Sequence, residues 1–236
     1  MKKIGQLVML LVCPLLTQAH GYWFELEQSE NAAIGEPVQI HLYYGEYASQ
    51  IREVGSRLDK MADIKVTVIS PDGEELEVNM TQTNTRWEGS YTPKSEGYYQ
   101  VLGLNDTREV QDWHKHKLGI TRPIQYLRTG FSIGENQSAA DQLLYLDTFC
   151  KINANNVELY AMKDGKPMNK TKIRVVNPEG WLQDKFSNQI GFVSVEPNRK
   201  GLYLAEVEWI EEVPGTFKGK AYETIRHKCD MTFVIN

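Results

Sequence analysis

Cysteine is scarce in this chain. Three occur in 236 residues: Cys13, Cys150 and Cys229. That excludes a disulfide-dense scaffold, and the lack of any CxxC pair makes a thiolate metal site a weak reading. Positive charge is also short. Lysine and arginine number 26 against 31 acids, a net charge of −5, so the basic footprint of a nucleic-acid binder is missing. Beyond the first residues no apolar run approaches the ~18 residues of a membrane span. Nor is there a GxSxG elbow, an HExxH helix, a P-loop or a GxGxxG turn. No nucleophile stands beside a base in any familiar pattern.

The start of the chain reads as a secretory signal peptide over residues 1–19. Lys2 and Lys3 are followed by an apolar core over residues 4–16, and Thr17-Gln18-Ala19 supplies small residues for cleavage. Processing there leaves 217 residues beginning His20-Gly21-Tyr22-Trp23. Losing Lys2 and Lys3 takes the net charge to −7, with 24 basic side chains against 31 acidic ones. A histidine at a mature terminus offers an α-amine and an imidazole in one residue. The amine titrates at about 7.7–8.0, so both nitrogens can be neutral donors, and imidazole suits copper, nickel and zinc. The alternative is that processing simply falls at His20.

The rest of the chain reads as all-β, with two tandem immunoglobulin-like β-sandwich domains over residues 20–137 and 138–236. Val38, Ile40, Leu42 and Tyr44 alternate with Gln39, His41 and Tyr43, as a half-buried strand does. His41 then falls on the exposed side. Pro71-Asp72-Gly73 is a turn in which proline sets φ and glycine accepts positive φ. The order recurs about a hundred residues later. Pro178-Glu179-Gly180 matches that turn. Pro197 to Tyr203 matches Pro93 to Tyr99 as proline, polar residues, glycine and an inward tyrosine. Units of this size fit immunoglobulin-like sandwiches. The polar, turn-rich stretch 134–141 marks the boundary. Residues 47–61 break the pattern and read as a loop or short helix over the first sandwich. Trp87, Trp181 and Trp209 read as core residues. Glu74-Glu75 and Glu211-Glu212 read as solvated charge. Cys150 and Cys229 are either one disulfide, the default in an oxidising compartment, or two buried thiols. Asn79, Asn105, Asn136 and Asn169 begin glycosylation sequons.

The candidate metal ligands are His20, His114, His116 and His227. If extended, Trp113-His114-Lys115-His116 would put two imidazoles on one face about 7 Å apart, close enough for a metal to bridge. Asp112 would then serve as an outer acceptor. If it is a loop, the spacing carries nothing. His227 shares a face with Ile225, Cys229, Met231, Phe233 and Ile235, either as a ligand or as a hydrogen-bonded core residue. Glu25 and Glu27 are either oxygen ligands or the wet side of an edge strand.

The stretches His20 to Glu27, Gly35-Glu36-Pro37-Val38, Tyr44-Gly45-Glu46, Tyr126 to Gly134, Asp164 to Pro167 and Tyr222 to His227 resemble an exported bacterial family. That family is associated with nickel and cobalt uptake. The resemblance implies a periplasmic, non-catalytic protein of tandem β-sandwiches that handles transition metal. A membrane metal transporter is the implied partner. His20 and His227 match the family's pattern; His114 and His116 do not clearly do so. The His-Gly-Tyr start also resembles lytic polysaccharide monooxygenases, which hold copper with the terminal amine, its imidazole and a second histidine. The tandem Pro-Asp-Gly repeat departs from those enzymes. The expectation is therefore an exported carrier of nickel, cobalt or copper. A secreted copper oxidase and a purely structural adhesion or scaffold module are the alternatives.

Overall fold

The computed structural model describes residues 20–27, 33–135, 141–153 and 156–236. The leader and the sequon at Asn136 fall outside them. The first half contains β1 (Gly21–Glu27), β2 (Val38–Glu46), β3 (Ile51–Arg52), β4 (Lys65–Ile69), β5 (Glu75–Val78), β6 (Thr81–Gln82), β7 (Trp87–Tyr91), β8 (Gly97–Asn105), β9 (Gln111–Asp112) and β10 (Ile120–Ile133). The second half contains β11 (Leu146–Ile152), β12 (Val157–Lys163), β13 (Lys166–Pro167), β14 (Lys172–Val176), β15 (Leu182–Phe186), β16 (Phe192–Val195), β17 (Gly201–Glu211), β18 (Gly215–Phe217), β19 (Lys220–Tyr222) and β20 (Thr224–Ile235). The chain is all-β and immunoglobulin-like, folded as β-sandwiches. Among the described residues no helix is long and apolar enough to cross a membrane.

In the first sandwich, β1-β2-β7-β6 with β3 faces β10-β8-β4-β5. In the second, β11-β12-β13 with β16 faces β20-β17-β14-β15. The two inner layers are one sheet, because β10 and β20 pair in parallel from Thr121–Thr224 to Arg128–Met231. Its strand order reads the same from both ends. Parallel pairing at the centre relates the halves by a half-turn about an axis along the strands, which exchanges the faces of the sheet. Successive side chains of a strand point to opposite faces, so β10 serves both cores. Leu127, Phe131 and Ile133 enter the first, while Ile124 and Tyr126 enter the second. On β20, Cys229, Met231 and Phe233 enter the second core. The opposite side of β20 meets β1, where Thr232 Oγ1 donates to the Phe24 carbonyl at 2.9 Å.

The internal repeat is carried by turn chemistry. The Tyr99 hydroxyl receives the Lys94 and Ser95 amides and donates to the Ser95 carbonyl at 2.9 Å. The Tyr203 hydroxyl does the same with the Arg199 amide and carbonyl. Both are tyrosine corners. Each ring stacks on a phenylalanine of the last strand of its sandwich, Tyr99 on Phe131 and Tyr203 on Phe233.

Several sequence readings need correction. His41 is buried, because the outer face of the first sheet is itself covered. Trp23, Tyr43 and Tyr47 pack there on Val176 and Leu204 of the second half, and Arg52 lies 4.0 Å over Tyr43. Trp181 is 70% exposed. It sits in the turn before β15, an edge strand of the long sheet, where none of the described residues covers it. Trp209 is also exposed, beneath the Lys163 ammonium. Trp87 alone of the three packs on a core, donating to the Leu58 carbonyl. Residues 47–61 form a turn, β3 and a 3-10 helix (Gly55–Met61) that buries Leu58 and Met61. The Asn105 side chain is buried and accepts from Thr107, which ill suits a glycan acceptor.

Cys150 and Cys229 are buried free thiols. Burial pushes the Cys150 thiol up to about 12 and Cys229 well above its ordinary value, so neither offers a thiolate near neutrality. A thiol reagent is therefore expected to find no reactive group in the native mature protein. Two should appear after denaturation without reductant. None after denaturation would mean that the pair is a disulfide.

Candidate functional site

His20 precedes β1, and the hairpin register fixes its neighbours. Gly21 lies opposite Gly45, so His20 comes beside Glu46 at the end of β2. The next turn brings a second carboxylate back. Gln50 N donates to the Tyr47 carbonyl at 3.0 Å to close the turn. β3 then crosses so near β2 that a Cβ on Gly45 would stand 2.1 Å from the Ile51 carbonyl oxygen. Only glycine allows that approach. Glu53, just past β3, is anchored by its amide on the Tyr44 carbonyl at 2.8 Å.

The imidazole is thereby bracketed. His20 Nε2 lies 2.7 Å from Glu53 Oε1, and Nδ1 lies 3.6 Å from Glu46 Oε1. A carboxylate only accepts, so Nε2 carries the proton in the neutral ring and Nδ1 keeps its lone pair. Arg57 Nη1 donates to the same Glu53 oxygen at 2.6 Å. The hydrogen bond from His20, aided by Arg57, holds the Glu53 carboxyl below its usual range. Tyr44 flanks the His20 ring at 5.3 Å and stacks on Tyr22. Two donors about 2.1 Å from one metal lie roughly 3.0–3.4 Å apart at square-planar or tetrahedral angles. The Nδ1–Glu46 separation is close to that span.

The other three candidates lie elsewhere. His114 and His116 occupy a 3-10 turn (His114–His116) rather than a strand, so the extended geometry that would have paired their imidazoles does not occur. Asp112 accepts from the His114 amide at 3.0 Å and from its Nδ1 at 2.7 Å, and the latter bond raises the pKa of that imidazole. His227 is buried at the rim of the second core. Its Nδ1 is 3.0 Å from the Tyr126 hydroxyl and its Nε2 is 3.6 Å from Glu211 Oε2. Burial lowers its pKa, with Glu211 opposing. None of the three is among the contacts of His20. Among the described residues no group of three or more His, Cys, Asp or Glu side chains is already gathered around a metal position. Any site at His20 therefore needs a donor beyond side chains.

Nothing in the sequence alone marks Glu46, Glu53 or Arg57 as site residues. Glu46 stands in the Tyr44-Gly45-Glu46 stretch, but its approach to His20 depends on a hairpin register that the chain does not spell out. Glu25 is structural, accepting from Trp23 Nε1 and from Arg52, and Glu27 lies 3.9 Å from His41. Glu211, read as solvated charge, instead ties Tyr145 and Lys163 together beside His227.

No family model matches this chain, and no curated protein matches it. Several solved chains are similar to it, two of which illustrate the likeness. One is native alpha-2-macroglobulin from Escherichia coli spanning domains NIE-MG1. It is 11% identical with a TM-score of 0.24, over 93% of this chain and 99% of that one. The other, from the same protein, spans domains MG0-NIE-MG1. It is 9% identical with a TM-score of 0.25, over 93% and 98% of the two chains. So loose a superposition gives no basis for transferring a role.

Proposed function

We propose that this is an exported, periplasmic protein whose mature form begins at His20. It carries a divalent transition metal, nickel, cobalt or copper, for uptake or homeostasis and catalyses no reaction. The observation that carries this reading is the bracketed imidazole. Glu53 accepts the Nε2–H, which keeps the proton on that nitrogen and leaves the Nδ1 lone pair toward Glu46. Cleavage after Ala19 would turn the His20 amide nitrogen into an amine. That amine and Nδ1 belong to one residue and can close a six-membered chelate ring. The donor set is then two nitrogens and one carboxylate oxygen, compatible with nickel, cobalt or copper. A carboxylate on the far ring nitrogen is the usual outer partner of a metal-bound histidine. The resemblance to the nickel and cobalt uptake family agrees with this, and a membrane transporter is the fitting recipient of the cargo.

The test is calorimetric titration with nickel, cobalt and copper, using protein that starts at His20 beside the same protein with its terminal amine acetylated. The acetylated form keeps the imidazole and loses the chelating amine. It should bind at least a hundredfold more weakly, a larger loss than the ~10–100-fold expected of an outer-shell change. Equal binding would move the site to the inner histidines. No binding to either would leave a structural β-sandwich module.

A further inference from the structure

Glu46 borders more than His20. A cavity of about 380 Å³ opens between β1, the β2–β3 turn and the outer face of β14, β17 and β20, and Gly21 and Glu46 line it. That volume falls within the range of small-molecule sites. Trp23, Val176 and Leu204 supply apolar wall, while Arg174, Arg226 and Lys228 bring cationic heads.

These cations differ in what they have left to give. Lys228 is committed: its ammonium lies 2.6 Å from Glu206 and 3.0 Å from Asp230, and Gln125 also donates to Asp230. A Cβ on Gly21 would stand 3.3 Å from the Lys228 nitrogen. The backbone beside His20 therefore passes close over this buried charge with no side chain between them. Arg174 spends Nε and Nη2 on Asp184 at 2.9 and 3.2 Å. Arg226 spends Nε on Glu208 at 2.6 Å, and its Nη2 meets the same carboxylate. A guanidinium has five N–H donors. Nη1 of each arginine has no hydrogen-bond partner among the described residues, although the Arg226 guanidinium lies 5.3 Å from the Trp113 ring centre, and both side chains line the cavity.

We infer that the cavity holds the organic part of the cargo. The metal is taken as a complex with a small carboxylate chelator, in a ternary assembly. This rests on the proposed metal site at His20. The mature chain supplies three donors there, whereas tetragonal and octahedral metals take four to six. The positions left open border the cavity, because Glu46 belongs to both. One carboxylate of the chelator stays on the metal. Another meets Arg174 and Arg226, whose planar forks match carboxylate geometry. The acids that balance these arginines keep the cavity from being a general anion trap, so the metal is needed to hold the chelator.

The experiment is equilibrium dialysis of radiolabelled citrate against mature protein starting at His20, with and without nickel, beside nickel titration alone. About one citrate per protein is expected with nickel and essentially none without it. The double variant Arg174→Gln/Arg226→Gln should bind nickel alone as the parent does, which also reports that it is folded. Its citrate retention should fall at least about tenfold, the loss of one or two charge-assisted hydrogen bonds. Nickel bound with no citrate retained would overturn the ternary assembly and leave the metal site standing. Citrate held equally without nickel would overturn it in favour of a plain anion site, and full retention by the double variant would remove the arginines from it. No nickel binding by the parent would sink the metal site and this inference together.

Discussion

Asp147→Ala is expected to cost about 3–5 kcal/mol of folding stability, the usual penalty for breaking a buried ion pair from one side. Arg128 on β10 and Asp147 on β11 are 2% and 0% exposed, and the guanidinium meets the carboxylate directly. Arg128 also reaches Gln100 and the Asp141 carbonyl. Asp147 accepts the Leu143 amide at 2.7 Å and the Leu144 amide at 3.2 Å. The pair thus fastens the chain entering the second sandwich to the strand that both sandwiches share. Burial raises the Asp147 pKa, and Arg128 with the two amides opposes that. Alanine would strand a buried guanidinium and take the acceptor from two part-buried amides at once. Against a total stability of roughly 5–15 kcal/mol, a large part of the fold's margin is at stake. Urea unfolding of mature protein would measure it.

Two further variants separate the components. Asp147→Asn keeps an acceptor for the amides and loses only the charge, so it should cost less than alanine. Arg128→Met with Asp147→Leu removes both charges and should recover part of the loss, since apolar replacement of a buried pair is often neutral or better. Recovery stays incomplete because the Leu143 and Leu144 amides still lack their acceptor. A loss below about 1 kcal/mol for Asp147→Ala would mean that water reaches the pair and that the sandwiches are held together by their shared sheet and by the packing of Trp23, Tyr43 and Tyr47 on Val176 and Leu204.

Strand alternation and turn chemistry are local, and they were legible. The inward set Val38, Ile40, Leu42 and Tyr44 lies in the first core. The repeated proline–glycine–tyrosine pieces became two tyrosine corners. What escaped the sequence depends on distant partners. Nothing local says that β10 and β20 pair in parallel, yet that pairing makes β10 two-sided. Packing of the first sheet against the second half likewise buries the side of β2 that carries His41 and Tyr43. Period-two reasoning marks one face as wet and cannot see a second layer arriving on it. At the candidate site, His20 was legible from the cleavage pattern alone. Its carboxylates were not: Glu53 is 33 positions away and arrives only because Gly45 lets β3 cross close over β2. The His114–His116 pair failed for the opposite reason. Asp112 takes the His114 amide and starts a tight turn, a local competition with the strand that aspartate often wins.

The same bracketed geometry sets an order among variants of Glu53 if the metal sits where proposed. Glu53→Leu removes the acceptor for Nε2–H. The ring then has no reason to keep its proton there, and the tautomer with Nδ1 protonated cannot bind through Nδ1. Affinity for the metal should fall toward the upper end of the ~10–100-fold range for outer-shell changes. Glu53→Gln still offers a carbonyl oxygen to Nε2–H but no charge, so the tautomer survives while the imidazole becomes a poorer donor, and the loss should sit toward the lower end. Arg57→Ala frees Glu53 from its second partner and should change affinity least. Both residues lie on the edge of the first sandwich outside its core, Arg57 exposed and Glu53 partly covered by its partners, where substitutions change stability little. Unfolding midpoints should therefore barely move while calorimetric affinities separate. If Glu53→Leu bound metal as tightly as the parent, the carboxylate would be an ordinary surface partner of His20 and Nδ1 would owe nothing to it.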